Sequence, residues 1–118
     1  MKTRAIETKY GIIYSRDALI INDVELNMVP LNIKVSVSLF LSGCRPQLRD
    51  KQPINIVFKF YDIEFIKIYM IDDYPYEGFS SSSFDEVEDE HSLGKKRYIL
   101  STYDHIFDVV GKFEIVAE

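Results

Sequence analysis

Apolar and polar residues alternate most regularly across residues 32–42. Ile33, Val35, Val37, Leu39 and Leu41 fall on one side and Asn32, Lys34, Ser36, Ser38 and Ser42 on the other, with Phe40 the one apolar residue on the polar side. A period of two with one polar face predicts an antiparallel, half-buried strand. Upstream, residues 10–15 and 18–27 read as shorter β segments. Within the second, Asn22-Asp23 separates Ile20-Ile21 from Val24-Glu25-Leu26, and both residues tolerate positive φ, so a tight hairpin turn is expected there.

Gly43, Pro46, Pro53, Arg45, Arg49, Lys51 and Asp50 predict a solvated loop over residues 43–53. Alternation then resumes with Ile54, Ile56, Phe58 and Phe60. Ile63 and Phe65 give way to Ile66, Ile68 and Met70, and this change in parity requires a turn or a β-bulge near residues 61–65. In the last segment Phe107, Val109, Phe113 and Ile115 share one face and Asp108, Lys112 and Glu114 the other, with Gly111 at a bulge. Residues 97–103 form the strand before it, and Asp104-His105 the turn between.

Residues 72–91 differ in kind. They hold eight acidic residues and no Lys or Arg, with Pro75, Gly78 and four consecutive serines from Ser80 to Ser83. Ser83 followed by Glu86, with Phe84, Val87 and His91 at helical spacing, resembles a capping box and predicts one short helix. The expected fold is a single, mainly β domain over residues 1–118. It is a sandwich or barrel of six to eight antiparallel strands, with residues 72–94 as an acidic loop or short-helix insertion. Ile33, Val35, Val37, Leu39, Leu41, Ile56, Phe58, Val109 and Phe113 are its expected core.

Composition narrows the function. A chain of 118 residues supports one core, and its richness in Ile, Val, Phe and Tyr suits strands. The single Cys44 cannot form an internal disulfide, no leader pattern opens the chain and no uncharged apolar run is long enough to span a bilayer, so a cytoplasmic protein is expected. A formal charge of −5 disfavours nucleic acid.

His91 and His105 stand in no metal-ligand spacing, and Tyr103-Asp104-His105 reads as a polar turn rather than an oriented base. The serine run lacks a nucleophile elbow and reads as flexible loop. Asp85, Glu86, Glu88, Asp89 and Glu90 lack the alternating ligands and central Gly of a calcium loop. No catalytic residue, metal or cofactor is assigned. The acidic segment, with no basic neighbour inside it and Lys95, Lys96 and Arg97 just outside, is instead expected to be exposed. There Asp72, Asp73, Asp85, Glu86, Glu88, Asp89 and Glu90 would steer a basic protein partner while Tyr74, Tyr76 and Phe79 supply packed contacts.

The run from Arg97 through Tyr103-Asp104-His105 to Val110, with Phe113-Glu114-Ile115, resembles the ending of small uncharacterised bacterial proteins from toxin and prophage neighbourhoods, some of which are thought to be immunity proteins. The resemblance covers about twenty residues and implies a stand-alone bacterial protein that neutralises a basic toxin. Two alternatives remain. One is a small-molecule-binding barrel or small enzyme with a Tyr, Asp and His site; the other is a homo-oligomer built through residues 32–42.

Overall fold

The computed structural model describes residues 2–46, 53–76, 81–88 and 95–118. The fold is mainly β, and every strand pairing is antiparallel. A seven-stranded sheet runs in the order β1 (Thr3–Ala5), β8 (Phe84–Val87), β9 (Lys96–Ser101), β10 (His105–Ala117), β7 (Ile54–Met70), β5 (Leu31–Leu39), β4 (Leu19–Met28). A small sheet holds β2 (Glu7–Thr8), β3 (Gly11–Ile13) and β6 (Cys44–Arg45). The ten strands among the described residues exceed the six to eight expected because β1, β2 and β6 are too short to leave an alternation in the sequence.

The long antiparallel β7–β10 pair folds the main sheet over. Residues 54–60 of β7 pair with β5 and with the end of β10, whereas residues 65–70 pair with its beginning. Between them Gly111 alone faces Asp62, Ile63 and Glu64, which is the break expected near residues 61–65. The two extra residues on β7 restore the parity, so Ile66 shares a face with Phe60, while Ile63 packs against the core from inside the bulge. Asp62 adopts φ 50°, and Lys95 and Lys112 each reach its carboxylate at 3.4 Å. A Cβ on Gly111 would lie 2.9 Å from the Tyr61 carbonyl oxygen, so the corner admits only glycine without displacement.

This corner brings the two halves of the sheet face to face, as strands do when they pass between the layers of a sandwich. Phe84 on β8 and Phe58 on β7 are three strand positions apart, roughly 14 Å in a flat sheet. Their rings nevertheless meet edge to face at 5.1 Å. Phe60, Phe113 and Tyr98 complete the aromatic centre. Of the expected core residues, Ile33, Val35, Val37, Leu39, Leu41, Ile56, Phe58 and Val109 are buried and Phe113 is half-buried against them.

Four sequence expectations are corrected. Asn22-Asp23 is not a hairpin turn, because β4 runs through it and the turn falls at Val29-Pro30. Asn22 is a bulge instead, its amide donating to the Ser38 hydroxyl at 3.0 Å. This one-residue slip lets both Leu19-Ile21 and Val24-Leu26 face inward despite opposite parity. Residues 44–45 of the expected loop form β6, paired with β3; residues 47–52 lie outside the described ones.

The expected helix beginning at Ser83 is a strand. Phe84 enters the aromatic centre, while Val87 points through the sheet into a second cluster with Ile99 and Ile106, closed by Tyr69, Ile71 and Tyr74. Ser81, Ser82 and Ser83 before it are fastened rather than flexible. Ser83 N–H donates to the Ile13 carbonyl at 2.8 Å, and Ser82 and Ser81 hold the Asp85 carboxylate through the hydroxyl at 2.7 Å and the backbone N–H at 2.8 Å. His91 lies outside the described residues. No helix among the described residues is long and apolar enough to cross a membrane.

Candidate functional site

Folding divides the acidic segment between structure and surface. Asp85, expected at an interface, is fully buried in its serine cradle. Glu86 is half-buried and forms ion pairs with Arg4 and Lys96 (3.2 Å), from strands that flank β8 on either side. Glu88 is exposed and lies 3.6 Å from Lys2. The expectation of an unneutralised segment fails here because the neutralising cations arrive across the sheet from residues 2, 4 and 96, not along the chain. Phe79, Asp89 and Glu90 lie outside the described residues.

Lys95, Lys96 and Arg97 turn to three different acids. Lys95 meets Asp62 and Lys96 meets Glu86, while Arg97 grips Asp108 with two parallel bonds, Nε at 2.8 Å and an Nη at 2.7 Å. Asp108 is buried, and its hydrogen bond holds the Arg97 guanidinium well above its ordinary pKa. Tyr76 lies over Arg97 at 5.6 Å, Tyr74 packs on Tyr76 at 5.3 Å, and Tyr69 meets Tyr74 at 5.0 Å. Burial, with the nearby Asp108 charge, pushes the Tyr74 hydroxyl up from its ordinary pKa. Tyr74 and Tyr76 are therefore rigid rings on a fixed cation, with Tyr76 still exposed.

Asp72 and Asp73 stay exposed in the 3₁₀ turn Ile71–Asp73 beside these rings, and no ion pair among the described residues engages them. The β9–β10 turn ties that corner to a second acidic one. The Asp104 carbonyl accepts the Ile71 N–H at 3.0 Å, the Tyr103 carbonyl accepts Arg16 at 2.6 Å, and Tyr103 N–H donates to the Leu19 carbonyl at 3.0 Å. Asp104, itself exposed, is bonded to His105 Nδ1 at 2.8 Å. Thr102 closes the turn by accepting the His105 N–H and donating to its carbonyl, the polar hairpin turn the sequence suggests.

Beyond Tyr103 a cleft of about 480 Å³ is lined by Ile20, Phe40 and Tyr103 with Ser15, Asp17 and Ser42. Its three large apolar side chains are exposed. The Tyr103-Asp104 turn thus links exposed Asp104 with Asp72 and Asp73 through Ile71 and with Asp17 through Arg16, beside the exposed rings of Phe40 and Tyr103, while Tyr76 stacks on Arg97 further along β9. Of the residues near this turn the sequence singled out Asp72 and Asp73, with Tyr74 and Tyr76 after them, but not Asp17, Phe40, Tyr103 or Asp104. Phe40 was the visible signal, being the one apolar residue on a polar strand face.

Cys44 is buried, and burial raises its thiol pKa, which takes it away from nucleophilic chemistry. Among the described residues no three His, Cys, Asp or Glu side chains are placed to hold a metal ion. Neither a family model, nor a curated protein, nor a solved structure matches the chain.

Proposed function

We propose that the chain is a non-catalytic protein-binding module whose acidic, aromatic rim captures and neutralises a basic protein, an immunity-type role. The observation that carries this reading is the gathering of exposed Asp17, Asp72, Asp73 and Asp104 from separate parts of the sequence by the Tyr103-Asp104 turn, beside exposed Tyr103 and Phe40. Exposed like charges speed encounter with a cationic partner, and rigid rings slow its departure. Tyr76 is held by Arg97 and Tyr74, so little side-chain freedom is lost when it is covered.

The test is to isolate the basic protein that the chain binds in its source cell and measure association rates with Asp72→Lys/Asp73→Lys/Asp104→Lys. These exposed charges contribute little to stability, so the variant should fold. Association should slow at least about tenfold at low salt and lose most of its salt dependence. An unchanged rate would remove this rim from the interface.

The small-ligand alternative draws on the same cleft, whose volume falls in the range of ligand sites and whose apolar lining is edged by Ser15, Asp17 and Ser42. It predicts that a bulky Ser42→Trp blocks ligand uptake while leaving capture of the basic protein intact.

A further inference from the structure

We infer that the free edge of β4 receives an extended strand of the partner in which apolar and basic residues alternate. This rests on the reading of a basic partner but concerns a surface away from the acidic rim. Strand β4 is last in the sheet order and ten residues long, and residues 22–28 are all exposed. The 32–42 segment suggested for oligomerisation offers no free edge over residues 31–39, because β5 is paired on both sides, by β4 and β7. The start of β4 is also occupied, since the Leu19 carbonyl accepts the Tyr103 N–H. Beyond it no strand among the described residues pairs the stretch that reaches Met28, roughly 23 Å of backbone groups open along one side.

The side chains on this edge fix the chemistry of its occupant. After the Asn22 bulge, Val24, Leu26 and Met28 share the core-side face, yet remain 40%, 50% and 66% exposed. Asp23, Glu25 and Asn27 take the other face, and no ion pair among the described residues engages Asp23 or Glu25. A strand added here would continue the apolar row with its own apolar residues and set its alternate positions beside two carboxylates. Lys or Arg at those positions satisfies both faces at once. A second copy of the chain does not fit. The antiparallel register centred on Leu26 sets Leu26 against itself and Val24 against Met28, but it puts Glu25 opposite Asn27 and supplies neither carboxylate with a cation, which Lys or Arg of the partner strand does.

The experiment uses the full chain and an eight-residue peptide of alternating Val and Lys. Its controls are an isomer with the four Val and four Lys in separate blocks, and the alternating peptide N-methylated at every second residue, which removes backbone donors but keeps the side chains. Amide hydrogen exchange followed by NMR should show the alternating peptide protecting residues 22–28. Affinity should fall at least tenfold for either control and for the Asp23→Lys/Glu25→Lys chain, and should hold in Asp72→Lys/Asp73→Lys/Asp104→Lys. The last variant separates this site from the acidic rim, so either can fail without the other. Equal binding of the block isomer, protection confined to other residues, or concentration-dependent protection of residues 22–28 without peptide would each overturn the inference, the last by showing self-association.

Discussion

Replacing Phe84 tests the fold at the point where sequence and structure disagree most. If residues 83–91 formed a surface helix, Phe84→Ala would leave stability nearly unchanged, since Ala is the better helix former. In the sandwich Phe84 is fully buried and meets Phe58 at 5.1 Å and Phe113 at 4.9 Å edge to face, with Phe60 and Tyr98 at 6.3 and 6.1 Å. Truncation of a buried Phe costs about 3–5 kcal/mol through lost transfer and an unfilled cavity. The upper end applies here, because β8 is held between β1 and β9 and cannot collapse inward, and because each close ring pair adds roughly 0.5–1.5 kcal/mol beyond its area. About 5 kcal/mol, at about 4 °C per kcal/mol for a chain of this size, lowers the thermal midpoint by about 20 °C.

Such a loss approaches the whole stability of a typical domain, so Phe84→Leu provides a folded companion. It keeps most of the volume, gives up the ring contacts and should cost about 1–2.5 kcal/mol. Urea unfolding followed by tyrosine fluorescence gives both values, since the chain has eight Tyr and no Trp. A Phe84→Ala chain that lost less than about 1.5 kcal/mol at an unchanged denaturant slope would show that Phe84 is not in the aromatic centre.

Two further outcomes test the corner of the sheet. Gly111→Ala should cost about 1–3 kcal/mol in the urea midpoint, because the new methyl meets the backbone of Tyr61 and Asp62, which cannot swing aside as a side chain can; a neutral result would mean the corner is looser than described. Asp62 has its pKa lowered by hydrogen bonds from Lys112 and then Lys95, so its ionised form favours the folded state above the ordinary Asp value and that contribution is lost as pH falls through the lowered one. The stabilities of the native chain and Asp62→Asn, which keeps the tolerance for positive φ, should differ at neutral pH and converge below about pH 4; a gap independent of pH would refute the ion-pair account.

The strands that were legible in the sequence are those with one buried face. Residues 31–39 show their alternation openly because Lys34, Ser36 and Ser38 face outward while Val35 and Val37 face the core. Parity shifts were legible as well, but not their cause. Asn22-Asp23 and residues 61–65 both interrupt an alternation, and a turn and a bulge make the same demand on nearby residues. What separates them is the partner strand, since Ser38 on β5 accepts the bulged Asn22 amide and Gly111 faces Asp62. Strand β8 was illegible because it is buried on both faces. Phe84 and Val87, three apart, fit one face of a helix equally well as they fit opposite faces of a strand, and the choice depends on two separate clusters awaiting them.

The acidic site follows from the same physics. A run of like charge in sequence is an interaction surface only if folding brings no cations to it, and here it brings Arg4 and Lys96 to Glu86, and Lys2 to Glu88, while serine donors hold Asp85. Asp85 and Glu86 are committed to stability and Glu88 is exposed beside Lys2, whereas Asp72 and Asp73 are exposed with no ion pair among the described residues. The surface regains its charge from isolated acids, Asp17 and Asp104, which no local count would single out and which the hydrogen bonds of the Tyr103-Asp104 turn draw onto one rim. Charge steering depends on the field summed over that rim within a Debye length, about 8 Å at physiological salt, and not on neighbours along the chain. Mutations chosen from the sequence run alone, such as charge reversal at Asp85 and Glu86, would therefore damage the fold and be misread as damage to binding. Reversal at Asp72, Asp73 and Asp104 changes the field and leaves the buried frame intact.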